Sequence, residues 1–256
     1  MLTRVSDATS VISCDVFDTL LHRDGRAESS RFRTIADVSA HRLRAEHGVA
    51  LDARQVWSTR MRVQRAAYRA VELSDPRGDV RFADLIAVTA TLLGLEARLA
   101  ATLGDAEITV ELRQLRPNRP LLRWLADQAR EGRRIVAASD TYHERTTIAH
   151  LLDTLAPGHP VARIYTSADL NATKRTGALF PAVLRAEGVR PEQVLHIGDD
   201  ALADETMASA AGLQVLRIVR PRRLRMRRKA DALRVRLERI LWEWRPSTPV
   251  HGVALT

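Results

Sequence analysis

The chain has 256 residues, 45% hydrophobic and 28% charged, enough for one large domain or two smaller ones and too apolar for a disordered tail protein. Its single cysteine, Cys14, excludes an intramolecular disulfide and a cysteine-rich zinc site. The net charge is +9, but twelve basic residues against three acids between Arg217 and Arg245 account for all of it. The body is therefore electrically balanced and gives no general argument for nucleic-acid binding.

No uncharged apolar run approaches the roughly 18 residues of a membrane span. The amino-terminal apolar run is broken by Asp7 and Asp15, so the expectation is a cytoplasmic protein with neither signal peptide nor span.

In chain order, the first apolar run is Val11 to Cys14. From about Gly25 to Leu115 no strand-like run follows. The apolar residues there suggest several helices separated by turn signals at Gly48, Asp75 to Gly78 and Gly94. Short apolar runs return at Ile135 to Ala138, Ile164 to Thr166, Val194 to Ile197 and Val215 to Val219. Their shortness and lack of polar alternation fit strands buried on both faces of a parallel sheet. Helical spacing fills roughly 119–130, 143–155, 175–188 and 202–211.

This βαβ series predicts an α/β fold, a Rossmann-like and mainly parallel sheet flanked by helices. Residues 1–24 and 116–220 form the core in this scheme, and 25–115 form an all-helical domain over the sheet's carboxyl edge. Residues 221–256 form a basic carboxy-terminal helix and tail.

Ligands of open parallel sheets gather at the carboxyl ends of the strands, and there the sequence places acids. The first run leads into Asp15, Val16, Phe17 and Asp18; the second into Ser139, Asp140 and Thr141; the fourth into Gly198, Asp199 and Asp200, with Asp204 soon after. Such crowding of carboxylates calls for a hard cation with oxygen ligands, and Mg²⁺ fits. Lys174 follows the third run and is one of only two lysines in the chain, against 38 arginines. A compact ammonium there would offset the remaining negative charge and help hold a phosphoryl group.

The segments VISCDVFDTLL from Val11 to Leu21, IVAASDTY from Ile135 to Tyr142, Lys174 within NATKRTG, and HIGDDALAD from His196 to Asp204 resemble, in order and spacing, the motifs of the haloacid dehalogenase (HAD) superfamily. The resemblance spans about residues 11–219 and implies a HAD-like core, with the helical insertion as its cap. It implies a Mg²⁺-dependent phosphomonoester hydrolase acting on a small phosphorylated substrate, with Asp15 as the nucleophile that forms an aspartyl-phosphate. Asp15, the backbone carbonyl of Phe17 and Asp199 would hold the metal, with Asp200 or Asp204 adding a ligand or fixing a water. Ser139 would hydrogen-bond a phosphoryl oxygen, and Lys174 would offset charge.

One position departs from the phosphatase pattern. Most phosphatases of the superfamily carry a second aspartate, the general acid, where this chain has Phe17. Asp18 is the substitute if the chain turns there. Dehalogenating members have an aromatic residue at that place and need no magnesium, so a dehalogenase-like hydrolase is one alternative. A catalytically weak binding protein is another.

Several residues also have simple structural readings. Thr141 and Glu144 form a capping-box pattern, Asp200 or Asp204 suits a helix cap, Cys14 suits a small core position and His196 a packed imidazole. In the tail, Met226, Ala230, Leu233, Leu237, Ile240 and Trp244 form an apolar stripe on a helix from about Leu224 to Trp244, with Arg225, Arg228, Arg239 and Trp242 on the other side. Residues 221–245 therefore have three candidate roles: packing on the body or a partner subunit with solvated arginines, docking on an anionic membrane surface, or, less favoured, binding nucleic acid.

Overall fold

A computed structural model of the chain describes residues 5–243, with side chains as far as Glu238. The expected contributions of Arg239, Ile240, Trp242 and Trp244 lie outside the described side chains.

Strand β1 (Val11–Cys14) is followed by the short β2 (Leu21–Arg23) and then by four helices, α1 (Glu28–His47), α2 (Ala53–Ser74), α3 (Phe82–Leu92) and α4 (Ala100–Gln114). The chain continues through β3 (Leu115–Pro117), α5 (Arg119–Arg130), β4 (Arg134–Ser139), α6 (Arg145–Leu155), β5 (Arg163–Thr166) and α7 (Ser167–Leu170). It ends with α8 (Leu179–Glu187), β6 (Val194–Gly198), a π-helical turn over Ala201–Thr206, α9 (Met207–Ala210), β7 (Gln214–Arg217) and α10 (Arg222–Glu243).

Five strands form one parallel sheet in the order β5-β4-β1-β6-β7. β1 is central, with all four residues buried, which is why its sequence is an unbroken apolar run. Hydrophobic layers pack on both sheet faces, one containing Ile12, Ile135, Ile148 and Leu152 and the other Val11, Val136, Phe180 and Val183. The antiparallel pair of β2 with β3, in which Leu21 sits opposite Pro117, has no signal in the residue pattern. Each is only three residues long, and their partnership spans the whole helical insertion.

Helices α1 to α4 enclose a separate core around Phe32, Leu43, Leu85, Leu103 and Val110. Gly48 ends α1 in the left-handed conformation at φ 69°, its N–H closing back on the carbonyl of Arg44. The insertion is tied to the sheet by a buried polar cluster. Glu107 of α4 accepts from both Nε and Nη2 of Arg60 in α2 at 3.3 Å and from the Tyr142 hydroxyl, just beyond β4, at 2.8 Å. The expected capping box is absent: α6 starts at Arg145, the Thr141 hydroxyl accepts from the His143 N–H, and Glu144 instead accepts from the Ala83 N–H of α3. Contact with the helical insertion outweighs the local cap.

Arg60→Ala leaves the fully buried Glu107 carboxylate without its cation. Removal of one partner from a buried pair costs roughly 3–5 kcal/mol, so urea denaturation of this variant is expected to give a loss of that size.

Candidate active site

Because β1 lies between β4 and β6, the residues that leave these three strands meet at one edge. Asp15 follows β1 with its N–H on the Ile197 carbonyl at 2.8 Å, Ser139 ends β4 and Asp199 follows β6. The Lys174 ammonium lies between two of the acids, donating to Asp15 Oδ1 at 2.7 Å and Asp204 Oδ1 at 2.5 Å, and it is almost wholly buried. The Ser139 hydroxyl is 3.4 Å from the same Asp15 oxygen. Carboxylate oxygens of Asp15, Asp199 and Asp204 lie within 4.8 Å of one another.

Each group is held by its surroundings. The Asp140 carboxylate accepts the backbone N–H of Lys174 at 2.6 Å and that of Arg175 at 3.0 Å, fixing the loop that carries the lysine. Asp204 accepts the N–H groups of Asp199 and Asp200 on Oδ2, and on Oδ1 it meets His196 Nε2 at 3.1 Å. Since a carboxylate only accepts, that imidazole nitrogen carries the proton, and Nδ1 takes the Ser13 hydroxyl at 3.0 Å. His196 is thus packed, as its strand position suggests, and is also hydrogen-bonded beneath the site. Gly198 leaves room for this arrangement, because a Cβ there would fall 2.2 Å from the Asp204 carboxyl carbon.

The charges follow from these contacts. Burial raises the Asp15 carboxyl above its ordinary value; Lys174 pulls it back and Asp204 and Asp199 push it further. Burial also opposes the Lys174 ammonium, but Asp15 and Asp204 outweigh it and keep the lysine charged. Asp204 resists the same burial because Lys174 and His196 hold it well below the carboxylate range. Burial, aided by the Asp15 charge, pushes the Cys14 thiol far up, so it is a core group rather than a nucleophile.

Asp200 stands apart from this cluster. Its Oδ1 caps the N–H groups of Leu202 and Ala203, and its Oδ2 meets Arg175 at 3.0 Å, so the acid that joins Asp15 and Asp199 is Asp204. Asp18 sits in a left-handed turn at φ 63°. Its carboxylate takes Arg228 Nη1 and Nη2 at 2.7 and 2.8 Å, with Arg220 at 3.4 Å. Burial raises the Asp18 carboxyl, but these guanidiniums bring it below its ordinary value, and in this arrangement it has no proton to give. Arg220 also pairs with Asp199, whose carboxyl burial nevertheless keeps somewhat raised. The Phe17 ring has the Arg23 guanidinium 3.9 Å above it.

A cavity of about 510 Å³ opens over these groups, walled by Asp15, Phe17, Ser139, Lys174, Asp199 and Arg228 among others. A second space of about 440 Å³ adjoins it beyond Phe17 and Arg23, reaching Tyr68 and Asp79. Arg220 and Arg228 were not legible as site residues, whereas Asp140 was visible at the end of β4 but not its role of holding the Lys174 loop. The two arginines stand in a run where seven of ten residues are basic, and nothing in the pattern distinguishes those that turn inward.

The chain belongs to the haloacid dehalogenase-like hydrolase family, whose pattern matches residues 9–212. Among solved structures it is similar to a 2-haloacid dehalogenase from Pseudomonas syringae pv. Tomato DC3000, with 19% identity, coverage of 82% of this chain and 86% of that one, and a TM-score of 0.53. An L-2-haloacid dehalogenase from Xanthobacter autotrophicus is similar at 17% identity, 91% and 88% coverage and a TM-score of 0.53. So is the defluorinating L-2-haloacid dehalogenase Rha0230, at 17%, 83% and 82%, and 0.54. No curated protein matches the sequence.

Asp18 links α10 to acidity. Its folded carboxyl lies below the ordinary 3.8, so the ion pair contributes fully at pH values above that and is lost as the pH falls through the folded value. Hydrogen exchange of α10 is therefore expected to be flat from neutral pH down to about pH 5, after correction for intrinsic exchange rates, and to quicken below 3.8. Asp18→Asn should give faster exchange already at pH 7 and shrink that acid step, leaving the part due to Asp231, whose carboxyl burial raises but the Ser30 hydroxyl and Ala27 N–H hold below its ordinary value.

Proposed function

We propose that the protein is a hydrolase that works through an aspartyl-phosphate on Asp15, with a small phosphomonoester as substrate and Mg²⁺ as cofactor. The observation that carries this reading is the buried acidic group, whose carboxylate oxygens lie within 4.8 Å of one another. That donor set, all hard oxygen, fits a hard divalent ion. Asp15 and Asp199, with the Phe17 carbonyl, would hold it, while Asp204 is engaged by Lys174, His196 and two backbone N–H groups. When bound, the ion supplies charge neutralisation between nucleophile and phosphoryl oxygens.

The protein's own groups do the rest. Asp15 attacks phosphorus, a new O–P bond forms as the bond to the leaving oxygen breaks, and water then hydrolyses the acyl phosphate, returning the carboxylate and releasing phosphate. Lys174 and Ser139 stabilise the transferring group. Phe17 cannot protonate the leaving oxygen, and Asp18 is ion-paired. General-acid help worth roughly 100- to 10,000-fold is thus missing, which favours esters whose leaving group departs as a stable anion.

A second reading, hydrolysis of a carbon–halogen bond on a small haloacid, also starts with attack by Asp15. It is supported by Phe17 beneath the Arg23 guanidinium, by Arg220 as a built-in counter-ion of Asp199, and by the haloacid dehalogenases among the similar structures. The comparisons lean toward this reading and the acid cluster toward the first.

One assay separates them: phosphate release from an activated aryl phosphate and halide release from 2-chloropropionate, each with Mg²⁺ and with a chelator. The expected outcome is Mg²⁺-dependent phosphate release that falls by at least roughly 1000-fold in Asp15→Asn. Halide release that persists under the chelator, with no phosphate release, replaces the first reading with the second.

A further inference from the structure

Helix α10 docks by its polar face. Arg228 clasps Asp18 and also donates to the carbonyls of Arg23 and Asp24. One turn on, the Asp231 carboxylate accepts the Ala27 N–H at 2.8 Å and the Ser30 hydroxyl at 2.5 Å, and Glu238 pairs with Arg33. Val235, 3% exposed, is the apolar residue in this row. Arg228, Asp231, Val235 and Glu238 are spaced by three, four and three, so they share one side of the helix.

The apolar stripe anticipated from the sequence faces the other way. Met226, Leu233 and Leu237 are 65%, 57% and 53% exposed, and at 100° per residue they lie about 160° around the helix from the docked row. Exposed cations flank the stripe on both sides, Arg222, Arg225, Lys229 and Arg236 along one and Arg223 along the other, with Arg234 next to Arg223 but ion-paired to Asp231 and Glu238 of the docked row. The acids of α10 with described side chains, Asp231 and Glu238, both belong to the docked row. The outer face is therefore apolar and cationic with no described acid, at a helix of 22 residues.

We propose that this outer face of α10 is a docking surface for an anionic lipid bilayer. Apolar side chains along the stripe enter the interface, and the flanking arginines meet lipid phosphates and carboxylates. Charge complementarity selects this occupant: a neutral apolar partner would not need five further cations around three apolar residues, and an interface built for phosphates alone would not expose Met226, Leu233 and Leu237. The helix contributes to the cavity wall through Arg228, Lys229 and Ala232, so docking sets the mouth of the active site beside the lipid surface. The surface stands independently of the reaction assigned to Asp15.

The test uses the full chain and co-sedimentation with vesicles of phosphatidylcholine alone or with roughly a third phosphatidylglycerol. Binding to the anionic vesicles only is expected, weakening at least tenfold between about 0.05 and 0.3 M salt. Leu233→Glu combined with Leu237→Glu should lose at least tenfold in vesicle affinity while keeping the wild-type melting temperature and Asp15-dependent activity. Arg222→Ala with Arg225→Ala, which keeps the stripe, should also weaken binding. No binding to anionic vesicles at low salt overturns the proposal. So does binding that the stripe substitutions leave unchanged while single-stranded DNA competes fully, and so does a dimer, seen by light scattering, that the stripe substitutions split into monomers.

Discussion

The site depends on one buried cation. The Lys174 ammonium bridges Asp15 and Asp204, and without it the Asp15, Asp199 and Asp204 carboxylates would face one another in a poorly solvated space. Like charges so placed force protonation or separation, and a protonated Asp15 is no nucleophile. The geometry also explains why the residue is lysine in a chain that otherwise uses arginine. A compact point charge on a flexible stem fits between two single oxygens, whereas a planar guanidinium would need a wider gap. Asp140 fixes the lysine's backbone from one side, and His196 with Ser13 fixes its second partner from below.

Residues where the pattern has a local physical cause were legible in the sequence. β1 is the run Val11 to Cys14 as expected, because burial on both faces leaves no polar alternation. The acids after β1 and β6 were visible because strand ends of a parallel sheet converge. Asp204 over Asp200 was not decidable, since both suit a helix start; the π-helical turn over Ala201–Thr206 gives the capping to Asp200 and sends Asp204 inward.

The longer-range features were hidden. The β2–β3 pair joins residues nearly a hundred positions apart through three-residue strands. The inward arginines of the tail look like their solvated neighbours. For α10 the described members of the stripe, Met226, Ala230, Leu233 and Leu237, do share one face, but the side that packs could not be foreseen. Packing by an apolar face is the usual outcome, and here hydrogen bonds to Asp18, Ala27 and Ser30 outweigh it.

Arg220 and Arg228 lie beyond residue 212, where the family match ends. The acids of the site lie within the matched residues, and part of their neutralisation comes from a segment beyond them. The charge excess that looks in the sequence like a separate basic tail is, for these two residues, one half of an electrostatic balance whose other half is Asp18 and Asp199.

The central position of β1 bears on how the chain reaches this state. Val11 pairs with Arg134 on one side and Val194 on the other, so the earliest strand must wait for neighbours more than a hundred residues downstream. During synthesis its apolar side chains and the unpaired N–H and C=O groups of its edges stay open until most of the polypeptide has left the ribosome. Such distant pairing slows folding and exposes the waiting segment to association. A truncated product lacking β6 would be an incomplete sheet with one bare side, a target for quality control rather than a weakened enzyme.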